Sequence, residues 1–190
     1  MQTSLNIKEP GLNVFPLGVE RYVVNGGGLT GVQILPDDEI EIINDEGNQI
    51  CEITVFNKDG KSELGILNLK ESKNSSEIKK ILFNKNETSL QALFQLKKRN
   101  LDIEKSKSAI LFDKDTVAKE TIKLKSKDKC YCIISAPGNA MLVHEQNPST
   151  DLTVLVKRAE KKQDKEFSVI PDPVYDPSGE IDIKRTTADA

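Results

Sequence analysis

At 190 residues the chain has room for one domain with an appendage, and a hydrophobic core can form without covalent staples. Charged residues make up 30 % of it, yet the signs nearly cancel to a net charge of -3, which excludes the basic excess that binding to a phosphate backbone needs. The cysteine count is 3, an odd number that argues against a disulfide scaffold and fits a reducing, cytoplasmic setting.

The opening stretch, MQTSLNIKEPGLNVF, has no charged region followed by an apolar one, so no signal peptide is expected. No apolar run approaches the ~18 residues of a membrane span. A cytoplasmic protein with neither membrane nor nucleic-acid partners follows as the expectation. Residues 1–18 read as an irregular lead-in broken by Pro10, Gly11, Pro16 and Gly18. Strand patterns follow at 21–24, 31–36, 39–44 and 49–56. In 39–44 acidic and apolar residues alternate, which puts Ile40 and Ile42 on one face. The turn from Asp45 to Asn48 reads as the loop of a hairpin joining 39–44 to 49–56, with Gly47 at positive φ.

The middle of the chain changes period. Residues 74–84 read as a helix with Ser75 or Ser76 as its cap. Residues 87–100 read as the clearest helix, capped by Thr88 or Ser89. Leu90, Leu93, Phe94 and Lys97 stand on one face, a basic end follows, and Asn100 is the stop. Strands return at 108–112, 120–125, 129–136 and 150–159. The charged run 160–166 and the proline-rich run 170–179 read as a linker over 160–179. Residues 180–190 then begin a fresh strand. The expected organisation is a lead-in (1–18), one β-rich domain (19–159), a linker (160–179) and the first strand of a second, truncated domain (180–190). The fold class is α+β, mostly antiparallel, a sandwich or distorted barrel with one or two helices packed on it.

Several residues carry chemistry. Gly26, Gly28 and Gly31 spell G-x-G-x-x-G, but a strand ended by Pro36 follows where a dinucleotide fingerprint needs a helix, so a glycine-rich strand connection is expected. Cys130 and Cys132 share a strand face; two thiolates begin a metal site, and Cys51 and His144 would have to complete it. Against that stands core packing, the usual fate of buried cysteines. His144, the sole histidine, is a candidate general base beside Glu145 or Asp151, or a loop histidine bonded to a backbone carbonyl. Glu52 faces solvent if one side of its strand is buried, and a lumen if the strand belongs to a barrel, where burial would make it a candidate acid or base.

The stretch ILPDDEIEIINDEGNQICEITVFNKDG (residues 34–60) resembles the opening of the urea carboxylase-associated family. In that family an acidic turn with Glu-Gly-Asn-Gln precedes a carboxylate three residues on, a position filled here by Glu52. Residues 147–159 resemble the closing strand of the same domain, and the end, IDIKRTTADA, resembles the lead-in to another copy. The resemblance implies a place at the front of long bacterial enzymes in which this domain precedes a folate-binding aminomethyltransferase (glycine-cleavage T-protein-like) domain. Trimethylamine-N-oxide demethylases, which split the oxide into dimethylamine and formaldehyde, are among them. The sequence also departs from the family, whose metal site is a histidine followed by cysteines. Here Cys130 and Cys132 precede His144, so no zinc ligand is carried over.

The implied reading is a degenerate, non-catalytic module for assembly or domain positioning, with its own downstream domains as partners, and with a homo-oligomer as the other assembly it allows. It holds no cofactor itself, and zinc and tetrahydrofolate belong to the rest of the parent protein. The rival readings are a metal-dependent lyase or hydrolase using Cys130, Cys132 and His144, and a small-molecule binding module.

Overall fold

This computed structural model describes residues 7–8, 18–73, 75–84, 87–138 and 149–159. The chain divides into two units, Met1–Ala159 and Glu160–Ala190. The linker and second-domain strand expected over 160–190 lie outside the described residues, as does His144.

The strands are β1 (Ile7–Lys8), β2 (Val19–Val24), β3 (Leu29–Ile34), β4 (Glu39–Asn44), β5 (Cys51–Asn57), β6 (Ser108–Phe112), β7 (Glu120–Lys125), β8 (Cys130–Ser135) and β9 (Leu152–Lys157). A 3-10 turn (Leu64–Leu67) and two helices, α1 (Glu77–Leu82) and α2 (Glu87–Lys98), lie between β5 and β6. One sheet runs β1-β3-β8-β5-β6 and the other β2-β9-β4-β7. Both stay open, so the fold is a sandwich of the α+β class, and the barrel alternative falls away. The pairing is antiparallel except where β1, inside the expected irregular lead-in, runs parallel to β3.

From β2 to β5 the chain changes sheet at every connection, and it does so again from β6 to β9. This corrects the expected hairpin. β4 pairs with β7 and β9, and β5 with β6 and β8, so β4 and β5 are not neighbours. The physical reason is that both strands bury an apolar face in the same interior. Ile40 and Ile42 enter it from one sheet, Ile53 and Val55 from the other, and all are fully buried. A hairpin would have set those faces side by side on a single sheet.

The core therefore has two parts. Between the sheets lie Val32, Ile34, Ile40, Ile42, Cys51, Ile53, Val55, Cys130, Cys132, Ile134 and the inward residues of β9. On the outer face of the five-stranded sheet, Phe56 and Ile133 meet Ile78 and Leu82 of α1, Ala92 and Leu96 of α2, and Leu101 and Ile103 beyond it. Both faces of β5 are thus covered, so Glu52 meets neither of the surroundings weighed for it, solvent or a lumen.

Helix α2 forms within the expected span and ends as expected, with Asn100 taking the left-handed conformation (φ 55°). It is turned differently from the expected face. Ala92 and Leu96 are buried, whereas Leu90 and Phe94 are 57 % and 65 % exposed. It also begins at Glu87, which places Thr88 and Ser89 in its first turn rather than ahead of it.

Candidate functional site

The Glu46-Gly47-Asn48-Gln49 stretch is the crossing from one sheet to the other, and its residues hold that crossing in place. The Asn44 side chain, at the end of β4, accepts from the Gly47 N–H at 3.0 Å and donates to the Gln49 carbonyl at 2.8 Å. Gly47 takes φ +82°, and an added Cβ would stand 2.7 Å from the Ala118 nitrogen. Asn48 is also left-handed, and its N–H reaches the Thr116 carbonyl at 2.7 Å. Two consecutive left-handed residues turn the chain sharply, a geometry that glycine and asparagine tolerate best.

Gln49 is buried and uses its amide on both sides. Its Nε2 donates to the Pro137 and Ile50 carbonyls, each at 2.9 Å, and its Oε1 accepts from the Thr150 N–H at 2.8 Å. Pro137 and Thr150 flank the segment that carries His144, so one side chain ties β5 to the chain on both sides of that segment. Asp151 and the glycine-rich connection do the same from β2. The Gly26 N–H donates to Asp151 Oδ1 at 2.8 Å, and a Cβ on Gly26 would stand 2.3 Å from the Ser149 carbonyl oxygen. β3 begins directly after Gly28, so the G-x-G-x-x-G run is a close-packed strand connection, as its context predicted.

Glu52 points away from the sheet interface, towards α1, and is 1 % exposed. Its Oε2 accepts from the Glu77 N–H at 2.7 Å and from the Ile78 N–H at 3.1 Å. These are the first amides of α1, which have no partner inside the helix. A carboxylate also suits the positive end of the helix dipole. This corrects the expected cap. Ser76 occupies the cap position but makes no side-chain cap bond. Ser75 donates instead to the Ser72 carbonyl at 2.7 Å and the Ser108 carbonyl at 3.0 Å. The cap comes from a strand 25 residues earlier. Glu52 Oε1 has no hydrogen-bond partner among the described residues.

The sulfurs of Cys130 and Cys132 lie 3.8 Å apart between the sheets, with Ser126 Oγ 3.7 Å from the first. The S–H of Cys132 holds the Cys130 thiol below its ordinary pKa, against burial and with help from Ser126. Donating that bond, burial and the neighbouring charge together push Cys132 well up. Burial, then the Glu52 charge, pushes Cys51 up as well. Cys51 does not join the pair. Val55 is the residue opposite Cys132, and Cys51 lies four residues earlier on β5, about 13 Å away along a strand rising ~3.3 Å per residue. Among the described residues no group of three or more His, Cys, Asp or Glu side chains is placed to hold a metal ion. Two thiols alone fall short of the three or four ligands that zinc takes, so the described residues do not fit a zinc centre.

One polar cluster has no counterpart among the expectations from sequence. Arg158, at the end of β9, pairs with Glu20 and, at 2.6 Å, with Asp38 Oδ2, and it also donates to the Gln33 carbonyl at 3.0 Å. Both carboxylates are at most 3 % exposed. Tyr22 donates to Glu20 Oε2 at 2.5 Å. Burial, the bond to Glu20 and that residue's charge push the Tyr22 hydroxyl up to about 12. Burial works against the Arg158 charge, but the two carboxylates outweigh it and raise its pKa. The backbone joins in, with Arg158 N donating to the Gly18 carbonyl at 2.8 Å and Ala159 N to Asp38 Oδ1 at 2.9 Å. The cluster fastens the start of β2, residues 18–22, to residues 158–159 after β9. No sequence signal gives it away, because its members are scattered over 138 positions and each stands in an ordinary charged context.

What these features define is a β-sandwich domain in which the distinctive polar residues fasten chain crossings, a helix start and the start of β2 against the end of β9. No protein-family model matches the chain, so the urea carboxylase-associated resemblance gains no support there. Over 185 residues the chain is 32 % identical to the trimethylamine-oxide aldolase of Ruegeria pomeroyi, a match that covers 97 % of this chain and 23 % of that protein. The chain therefore spans about a quarter of the length of the curated relative it matches. Among the described residues no helix is long and apolar enough to cross a membrane.

Proposed function

We propose that residues 19–159 are a non-catalytic module of a longer one-carbon enzyme of the trimethylamine-oxide aldolase kind, serving assembly or the positioning of neighbouring domains. The observation that carries this reading is the pairing of a match across 97 % of the chain with coverage of 23 % of the aldolase. The use of the polar residues supports it. Glu52 has an amide-capping task, Gln49 a clamping task, and all three cysteines are buried in the core. On this reading the chemistry lies in the rest of the long polypeptide, with zinc and tetrahydrofolate as its expected cofactors and those domains as the module's partners. The test is to assay the purified 190-residue chain and the longest native polypeptide containing it for dimethylamine and formaldehyde released from trimethylamine N-oxide. Release by the long form alone is expected. Release by the 190-residue chain would make it an enzyme in its own right.

A further inference from the structure

Helix α2 has two apolar strips where a helix packed on one side needs one. The inward strip, Ala92 and Leu96, is used in the core. Leu90 and Phe94 form another strip one turn apart, roughly 160° around the helix from the first at ~100° per residue. They are 57 % and 65 % exposed, and Phe83, at the end of α1 in the same helical layer, is 43 % exposed. Lys97 and Lys98, both exposed, follow at the C-terminal end of α2. A leucine and a phenylalanine aligned on one helix face, with lysines beside them, make a ridge of the helix-in-groove type.

We propose that this ridge is the docking surface for the part of the long polypeptide that lies outside these 190 residues. The proposal rests on the module reading above. The occupant follows from length: in the aldolase matched at 32 % identity, 77 % of the protein lies outside the matched quarter, so a far larger body shares the polypeptide with this module. The complementary surface is an apolar groove for Leu90 and Phe94, with carboxylates facing Lys97 and Lys98. An apolar centre with a charged rim is the anatomy such interfaces have.

The test is carbene footprinting, in which a photoactivated diazirine inserts into exposed C–H bonds. It is run on the isolated 190-residue chain and on the native polypeptide whose intact mass has been measured. The expected result is a native polypeptide longer than this chain, with labelling at Leu90 and Phe94 reduced about threefold, as for side chains entering an interface core. Val117, 66 % exposed in the loop between β6 and β7, is the internal control and keeps its labelling. Equal labelling of Leu90 and Phe94 in a longer native chain overturns the docking surface and leaves the module reading standing. A native polypeptide no longer than this chain overturns both. Protection that arises in the isolated chain as its concentration rises, together with a dimer in sedimentation, overturns the proposed occupant in favour of a second copy. The double variant Leu90→Ser, Phe94→Ser gives an independent readout. Its side chains lie outside the core, so it is expected to leave the isolated chain's Tm unchanged and to lower that of the long form. An unchanged Tm in the long form counts against the proposal.

Discussion

Glu52 and Gln49 each perform a structural task that a strand or a turn read by itself would not reveal. Replacing Glu52 with Ala strips two amides of their acceptor, one buried and one part-buried, and the expected loss is about 1–3 kcal/mol of stability. Glu52→Gln keeps an acceptor oxygen and is expected to lose less. Urea unfolding of the two variants beside the parent chain measures both, and equal, negligible losses would refute the cap. Tyr22 supplies a pH-dependent test. Its hydroxyl titrates near 10 in the unfolded chain and at about 12 in the fold, so folding binds its proton more tightly. The stabilisation is complete below pH ~10 and lost as the pH rises through the folded pKa, because the unfolded chain releases the proton first. Over that window the parent is expected to lose stability more steeply than Tyr22→Phe in thermal melts. Parallel profiles would show that the hydroxyl plays no part. The thiols give a third test: a thiol-exchange reagent at pH 8 is expected to react slowly with the native chain and fully once urea unfolds it. Fast reaction of the native protein would contradict the burial of all three cysteines.

Among the elements, those whose signal is local are legible in the sequence and those whose signal is long-range are not. β4 and β7 fall where alternation places them, because a half-buried strand writes its period into adjacent residues. The same alternation says which residues face inwards but not from which sheet, so the step from Asn44 to Cys51 reads like a hairpin. The rotation of α2 is hidden for a related cause. Leu90, Leu93 and Phe94 make the stronger apolar pattern, yet Phe56 and Ile133 of the sheet meet Ala92 and Leu96, and of that pattern only Leu93 packs against them. The cap of α1 cannot be found near α1, since it arrives from β5. The crossing turn can be tested at Gly47. Gly18 and Gly47 have nearly the same φ, +84° and +82°, but Gly18 has nothing within 4 Å of an added Cβ, whereas Gly47 has the Ala118 nitrogen at 2.7 Å. Gly18→Ala is expected to cost about 1 kcal/mol for the backbone conformation alone. Gly47→Ala is expected to cost that plus ~1–3 kcal/mol of steric displacement. Equal losses in chemical denaturation would mean that the crossing turn is not held tightly against residues 116–118.

At the scale of the whole molecule, the sandwich is closed by the Arg158–Glu20–Asp38 cluster, with residues 18–22 and 158–159 side by side. The unusual turn chemistry of residues 34–60 stands out in the sequence, but the work of those residues does not, because it depends on contacts with β9, α1 and the 116–118 loop. On the proposed reading this sandwich is a module for assembly or domain positioning, and bond-breaking happens elsewhere in a longer chain. The most direct measurement is formaldehyde released from trimethylamine N-oxide by the purified 190-residue chain, with metal content determined on the same sample. The account predicts no release above buffer, with or without added zinc. Turnover that scales with protein, and that disappears on replacing Cys130 or His144 with Ala, would contradict it and make this domain the catalyst.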